Sequence, residues 1–281
     1  MTTDVAVTAG DGQVLKATVH GPDAARTWLV INSAMGVRRR FYRHLAGFLA
    51  DRGIGTVTYD YRGMGESVVD PARADSVRLE DWGRRDFPAV VRWLRAERRP
   101  ERVVALGHSV GGQLLGIAPE VRALDAVVGV ATQSGHWRHW DGLQRARVFA
   151  LWYLAIPLLA GPSGRFPAAR LGLGQDLPAG VARQWAEWGR DPDYIRSPRV
   201  GPQPQYHGDV RCRLRTYWIA GDDLAPERAV RAWHDWFPHA ERDFIAVPAR
   251  NPSGAPIGHF GFFDPRVGGG EWADLADFVR G

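Results

Sequence analysis

Arg102-Val103-Val104-Ala105-Leu106-Gly107-His108-Ser109-Val110-Gly111-Gly112-Gln113-Leu114-Leu115-Gly116-Ile117-Ala118 turns from a β-branched run into a helical one through a G-x-S-x-G sequence. Arg102 to Leu106 reads as a buried strand and Gly111 to Ala118 as a helix. A serine between them must sit on a strained turn, and a bulky residue two places to either side would clash there; Gly107 and Gly111 remove both clashes. The turn lifts the Ser109 hydroxyl above the sheet edge, and the following helix aims its positive dipole end at any oxyanion that forms there. G-x-S-x-G alone is a weak pattern in a chain with 33 glycines among 281 residues. The strand before it and the helix after it supply the specificity.

Working outward, Val14 to Val19 and Trp28 to Ile31 read as strands. Phe41 to Asp51 reads as a helix with Leu45, Phe48 and Leu49 on one face, closed by Gly53. Ile54 to Tyr59 and Asp125 to Ala131 are further strands, with a helix from Leu79 to Arg95 between the first of these and the serine strand. From Ser134 to Gly208 the rhythm breaks into a stretch with Trp137, Trp140, Trp152, Trp185 and Trp188, helical periodicity and no convincing strand. Alternation then resumes: Leu214 to Ala220 (strand), Pro226 to Phe237 (helix), Phe244 to Val247 (strand), Trp272 to Val279 (helix). This pattern predicts an α/β fold, a mostly parallel central sheet with helices on both faces. Residues 1–133 and 209–281 form its two parts, and 134–208 a Trp-rich helical cap inserted between two strands.

Composition is ordinary for a globular chain, 45% hydrophobic and 24% charged, and excludes disordered or collagen-like protein. The net charge of +5 is spread over arginines interleaved with acids, so no nucleic-acid partner is expected. Arg38-Arg39-Arg40 reads as the solvated start of a helix. Cys212 is alone, which rules out an intrachain disulfide. Met1 to Gly10 carries no secretory pattern, and the longest apolar stretch, Val148 to Ala160, is short for a bilayer and contains Pro157. A cytoplasmic protein without stable membrane insertion is expected, with Val148 to Ala160 as a lid helix in preference to a membrane-touching surface and a homodimer left open.

A nucleophilic serine needs a base, and the base an orienting carboxylate; after an elbow of this kind the chain order is Ser, acid, His. His136, His139, His234 and His239 read as surface or packing histidines. His259, in the Gly-flanked loop Ile257-Gly258-His259-Phe260-Gly261 between the last strand and last helix, is the base. The acid belongs in Gly221-Asp222-Asp223-Leu224-Ala225-Pro226, after the strand Leu214 to Ala220. Asp223 is assigned to His259 and Asp222 to capping, with the reverse assignment open. The oxyanion donors are the Val110 N–H and one N–H from Asn32-Ser33-Ala34-Met35-Gly36: Ala34, with Met35 as the alternative.

On these residues the chain resembles the α/β-hydrolase superfamily. The elbow 107–111, the stretch Tyr59-Asp60-Tyr61-Arg62-Gly63-Met64-Gly65-Glu66-Ser67, which is similar to that superfamily's D-x-R-G-x-G-x-S turn, Asp222-Asp223 and Gly258-His259 carry the resemblance. More narrowly, residues 32–37, 257–263 and the Trp-rich insertion resemble predicted bacterial serine α/β hydrolases with a helical cap. Asn32-Ser33 replaces the superfamily's usual His-Gly. The resemblance implies a serine hydrolase, without cofactor or metal, that cleaves a small or medium apolar ester or thioester through an acyl-enzyme. An acyltransferase on the same triad and a non-catalytic binding protein are the alternatives. Met35, His108, Trp137 and Trp140 are the expected substrate contacts, and Trp185 and Trp188 the expected packing residues.

Overall fold

Along the serine strand, Val103 and Ala105 face one layer of apolar side chains while Val104 and Leu106 face another, so this strand is buried on both sides, as a central parallel strand must be. The computed structural model describes residues 1–161 and 164–281. Strands β1 (Thr2–Thr8), β2 (Val14–His20), β3 (Thr27–Asn32), β4 (Gly55–Tyr59), β5 (Arg102–His108) and β6 (Ala126–Val130) precede a short hairpin of β7 (Arg165–Phe166) and β8 (Leu177–Pro178). They are followed by β9 (Arg213–Ile219) and β10 (Glu241–Val247). The main sheet runs β1-β2-β4-β3-β5-β6-β9-β10. Pairings from β4 to β10 are parallel, and β1 and β2 are antiparallel.

The helices in chain order are α1 (Arg43–Ala50), α2 (Leu79–Asp81), α3 (Phe87–Arg98), α4 (Val110–Gln113), α5 (Gly142–Ala150), α6 (Ile156–Leu159), α7 (Ala179–Arg190), α8 (Glu227–His234), α9 (Gly258–Gly261) and α10 (Trp272–Arg280). Leu45 and Leu49 of α1 and Leu275, Phe278 and Val279 of α10 cover one face of the sheet. Phe87, Val90, Val91 and Leu94 of α3, with Trp233 of α8, cover the other. The predicted parallel sheet with helices on both faces is present. The helix expected from Gly111 to Ala118 is shorter, one turn of α4 followed by a 3-10 turn over Leu115–Ile117.

Two sequence readings are corrected here. Thr2–Thr8, in which no element was expected, is the edge strand β1; only Val7 of its side chains is fully buried, so it lacks a core-facing apolar run. Arg39 is not solvated. Its guanidinium is 9% exposed and paired with Asp60 at 2.5 Å and Glu66 at 2.9 Å, and its own N–H bonds Asp60 Oδ1 at 2.8 Å. Burying a cation is tolerated only with such partners, and Asp60, at the end of β4, supplies the main one. Gly65 must lack a side chain because its Cβ would lie 2.2 Å from that carboxylate.

Between β6 and β9 the chain leaves the main sheet. α5 continues through a π turn over Leu151–Ala155 into α6, and α7 packs beneath it, with Trp152 edge-on to Trp185 at 4.6 Å. Residues 162–163 of this span lie outside the described residues. No helix among the described residues is long and apolar enough to cross a membrane.

Candidate active site

β5 ends at His108 and α4 begins at Val110, so Ser109 occupies the turn between them with φ 53° and ψ −121°. That is a costly conformation for a residue with a Cβ, held because the surroundings leave no alternative. A Cβ on Gly107 would lie 2.1 Å from the Cα of Gly112, and one on Gly111 would lie 2.2 Å from the Asn32 carbonyl oxygen. The glycines are therefore needed for contact between backbone segments around the serine rather than for space beside its own side chain. Asn32 ties the two loops together: its Nδ2 donates to the Gly111 carbonyl at 3.3 Å and its Oδ1 accepts from Tyr59 Oη at 2.7 Å.

His259 sits on α9, a single helical turn, and is not the mobile loop residue that its glycine neighbours suggest. Its Nδ1 lies 2.7 Å from Asp222 Oδ2, with the two side chains 6% and 2% exposed. This corrects the assignment of the acid. Gly221, at φ 75°, begins a turn in which the Asp222 N–H bonds the Ile219 carbonyl, and this geometry turns Asp222 inward. The other oxygen of Asp222 accepts the Leu224 N–H at 2.9 Å, so one carboxylate both caps the turn and faces the imidazole. Asp223 points to solvent, and its backbone carbonyl accepts from Trp140 Nε1 at 2.9 Å.

The oxyanion assignment also changes. The Ala34 N–H is occupied, donating to Tyr42 Oη at 2.9 Å. Met35 lines the cavity with Ser109, and no hydrogen bond from its N–H to a described residue is formed, which leaves Met35, of the two candidates, with its N–H free. Val110 is the first residue of α4, where an N–H has no partner within the helix.

His108 is not a substrate contact. It is fully buried, with Nδ1 3.0 Å from Tyr42 Oη and Nε2 2.9 Å from the His259 carbonyl oxygen. Burial, reinforced by the neighbouring His259, holds its pKa well below the ordinary histidine value, so it is neutral. The His259 carbonyl can only accept, so the neutral imidazole carries its hydrogen on Nε2 and donates it there, and Nδ1 accepts from Tyr42 Oη. One chain of hydrogen bonds thus links the oxyanion loop, the elbow and the histidine turn. Tyr42 carried no sequence signal beyond its helical position.

Ser109 and His259 open into a cavity of ≈ 110 Å³ with mainly apolar walls. Met35, Val148, Leu151, Trp152, Leu173 and Phe260 supply much of this lining, and Trp140 borders it as expected. Trp137 does not; it packs edge-on against Phe149 at 5.1 Å. Trp185 faces the cavity instead of only packing, whereas Trp188 is fully buried as expected. Gln113 and Gln133, which the sequence reading passed over, also line it.

A strand-turn-helix serine, a downstream carboxylate and a histidine after the last strand define a class of fold and site. Residues 18–277 match the model of the alpha/beta hydrolase family, and the chain belongs to that family. No curated protein matches the sequence. Among solved structures, the DcsB complex with its substrate analogue is 13% identical, with a TM-score of 0.67 over 100% of this chain and 99% of the other. An esterase from Exiguobacterium antarcticum is 14% identical, with a TM-score of 0.65 over 99% of this chain and 100% of its own. The esterase domain of a Rhodothermus marinus protein is 14% identical, with a TM-score of 0.63 over 100% and 98%. At these identities the likeness is one of fold.

Proposed function

We propose that this protein is a serine hydrolase that cleaves esters or thioesters of small or medium apolar acyl groups through an acyl-enzyme. Ser109 is the nucleophile, His259 the general base, and Asp222 the carboxylate that orients the imidazole and stabilises its charged form. The observation that carries this reading is the buried 2.7 Å pair of His259 and Asp222, opening with Ser109 on one largely apolar cavity.

Ser109 Oγ attacks the substrate carbonyl carbon as His259 Nε2 takes its proton. The negative charge moves to the carbonyl oxygen, where the Met35 and Val110 N–H groups receive it. On collapse the C–O or C–S bond breaks, and the leaving alcohol or thiol takes the proton from His259. Water, deprotonated by the same imidazole, then releases the acid. Val148, Leu151 and Trp152 roof the cavity and limit water around the acyl chain.

The test is labelling with a fluorophosphonate, which phosphonylates an activated serine. Labelling of the wild type that disappears in Ser109→Ala and in His259→Ala supports the reading, and a folded wild type that takes up no label overturns it. A series of p-nitrophenyl esters of graded chain length then reads the acyl preference, and competition by added alcohols separates hydrolysis from acyl transfer.

A further inference from the structure

The loop that carries Met35 is tied at several points. Asn32 at its start bonds Gly111 and Tyr59 through its side chain, and the Gly36 carbonyl near its end accepts the Gln175 N–H of the insertion at 2.9 Å. Between them Ala34 is held at both of its backbone groups. Its carbonyl accepts the Val37 N–H at 3.1 Å, and its N–H donates to Tyr42 Oη at 2.9 Å. A trans peptide sets its C=O and N–H antiparallel, so with the Ala34 carbonyl turned to Val37 the Met35 N–H points the opposite way. Of the two ties on Ala34, only the one from Tyr42 is made by a side chain.

Tyr42 stands just before α1 and is fully buried, its ring edge-on to Phe41 at 5.2 Å and to Phe263 at 4.9 Å. These contacts fix where the hydroxyl sits. The hydroxyl accepts from Ala34 and donates to His108 Nδ1 at 3.0 Å, and His108 is held in turn by the His259 carbonyl. Burial pushes the phenol pKa up, so the proton that serves His108 stays in place. Resting on the hydrolase reading above, with Met35 as an oxyanion donor, we propose that Tyr42 is a positioning residue for the oxyanion site: its hydroxyl fixes Ala34 so that the Met35 N–H faces the oxygen on which charge develops. A donor of this kind acts only within hydrogen-bond distance of that oxygen. Without the hydroxyl, the Ala34 N–H, on a residue 3% exposed, loses its acceptor. A buried donor left alone is costly, so the loop shifts to find another and carries Met35 with it.

The experiment is Tyr42→Phe, which keeps the ring contacts and removes one oxygen. Two quantities are read: steady-state kinetics on p-nitrophenyl butyrate, and the infrared stretching frequency of the acyl carbonyl in the acyl-enzyme. The acyl-enzyme is formed from p-nitrophenyl trimethylacetate, a hindered ester that deacylates slowly, isotopically labelled at its carbonyl carbon. Hydrogen bonds in the oxyanion site lower this frequency. In Tyr42→Phe kcat should fall about tenfold, short of the about 10²–10³-fold that follows outright loss of a donor, with KM unchanged and the carbonyl frequency raised. General loosening of the fold lowers the fraction of active molecules but leaves the frequency of the acylated ones where it was. A kcat within about twofold of the wild type, or a fall in kcat without the frequency shift, overturns the inference. If Tyr42→Phe does not fold, the same bond is cut from its other end by an ester in place of the peptide bond between Ser33 and Ala34, which removes the Ala34 N–H and leaves Tyr42 on His108. The same rise in frequency is expected there, and its absence overturns the inference. A wild type that takes up neither fluorophosphonate nor acyl group fails the hydrolase reading and this inference with it, whereas an active, labelled wild type beside an unchanged Tyr42→Phe fails the inference alone.

Discussion

The elbow and the insertion meet over the same cavity but are built in opposite ways. Around Ser109 the backbone itself is the constraint: Gly107 and Gly111 are fixed by other backbone segments little more than 2 Å from where a Cβ would be, and Ser109 holds φ 53° as a result. In the insertion, side chains do the work. Gly142 also has a positive φ, 52°, but nothing lies within 4 Å of its missing Cβ, and the contact between the π turn Leu151–Ala155 and α7 rests on Trp152 against Trp185. Under the proposed function, the nucleophile is thus anchored where neighbouring backbone leaves no room for a side chain on Gly107 or Gly111. Under the proposed function, the acyl pocket is walled by side chains of the insertion, Val148, Leu151, Trp152 and Trp185 among them.

The largest effect that would test this division lies at the two adjacent aspartates. Asp222→Asn should lower kcat by about 10⁴-fold, as loss of the orienting carboxylate does in other Ser-His-Asp sites, while Asp223→Asn should change it by less than about twofold. If Asp223→Asn is the inactive variant, the turn after β9 has been read the wrong way. Next come the glycines. Gly111→Ala should destabilise the fold by about 3 kcal/mol in urea titration, because its Cβ must push the Asn32 carbonyl aside. Gly142→Ala should cost only about 1 kcal/mol, for the backbone conformation alone. Equal losses at the two positions would erase the contrast between regions.

What was legible in the sequence follows the same line. Gly107, Ser109 and Gly111 could be read from spacing because local sterics dictate them, and the strand-helix alternation gave the parallel sheet because each central strand is apolar on both faces. Asp222 could not be separated from Asp223, since the choice depends on how the Gly221 turn closes on Ile219. Ala34 lost its place to Met35 through a bond to Tyr42, a contact between loop and helix that no local pattern encodes. Arg39 was misread because its partner Asp60 lies across a crossover. Among the tryptophans, position in the chain favoured Trp137 and Trp140, but of these only Trp140 borders the cavity, together with Trp152 and Trp185. Which of many aromatics lines a pocket is settled by the packing of an insertion whose helices share no strand register.

A last prediction tests the joint between the two regions. His207 lies where the insertion returns to the sheet, fully buried between Trp236 and Phe237, with neither ring nitrogen hydrogen-bonded to a described residue. It is wedged against Gly116, just beyond the elbow helix, where a Cβ would lie 2.0 Å from its ring, and the adjacent Tyr206 N–H bonds the Gly116 carbonyl at 2.8 Å. Burial, with a smaller contribution from Arg196, pushes its pKa down to about 3. The unfolded chain therefore binds this proton from about pH 6.5 downward while the folded chain does not, so stability falls as pH drops through that window and levels off near the folded value. The loss approaches 1.4 kcal/mol per pH unit for this one group, or about 2 kcal/mol between pH 6.5 and pH 5. Urea titrations at those two pH values should show the wild type losing about 2 kcal/mol more than His207→Phe. An identical pH dependence in the two proteins would mean that His207 is protonated in the folded state, and that the insertion is joined to the elbow more loosely than this packing requires.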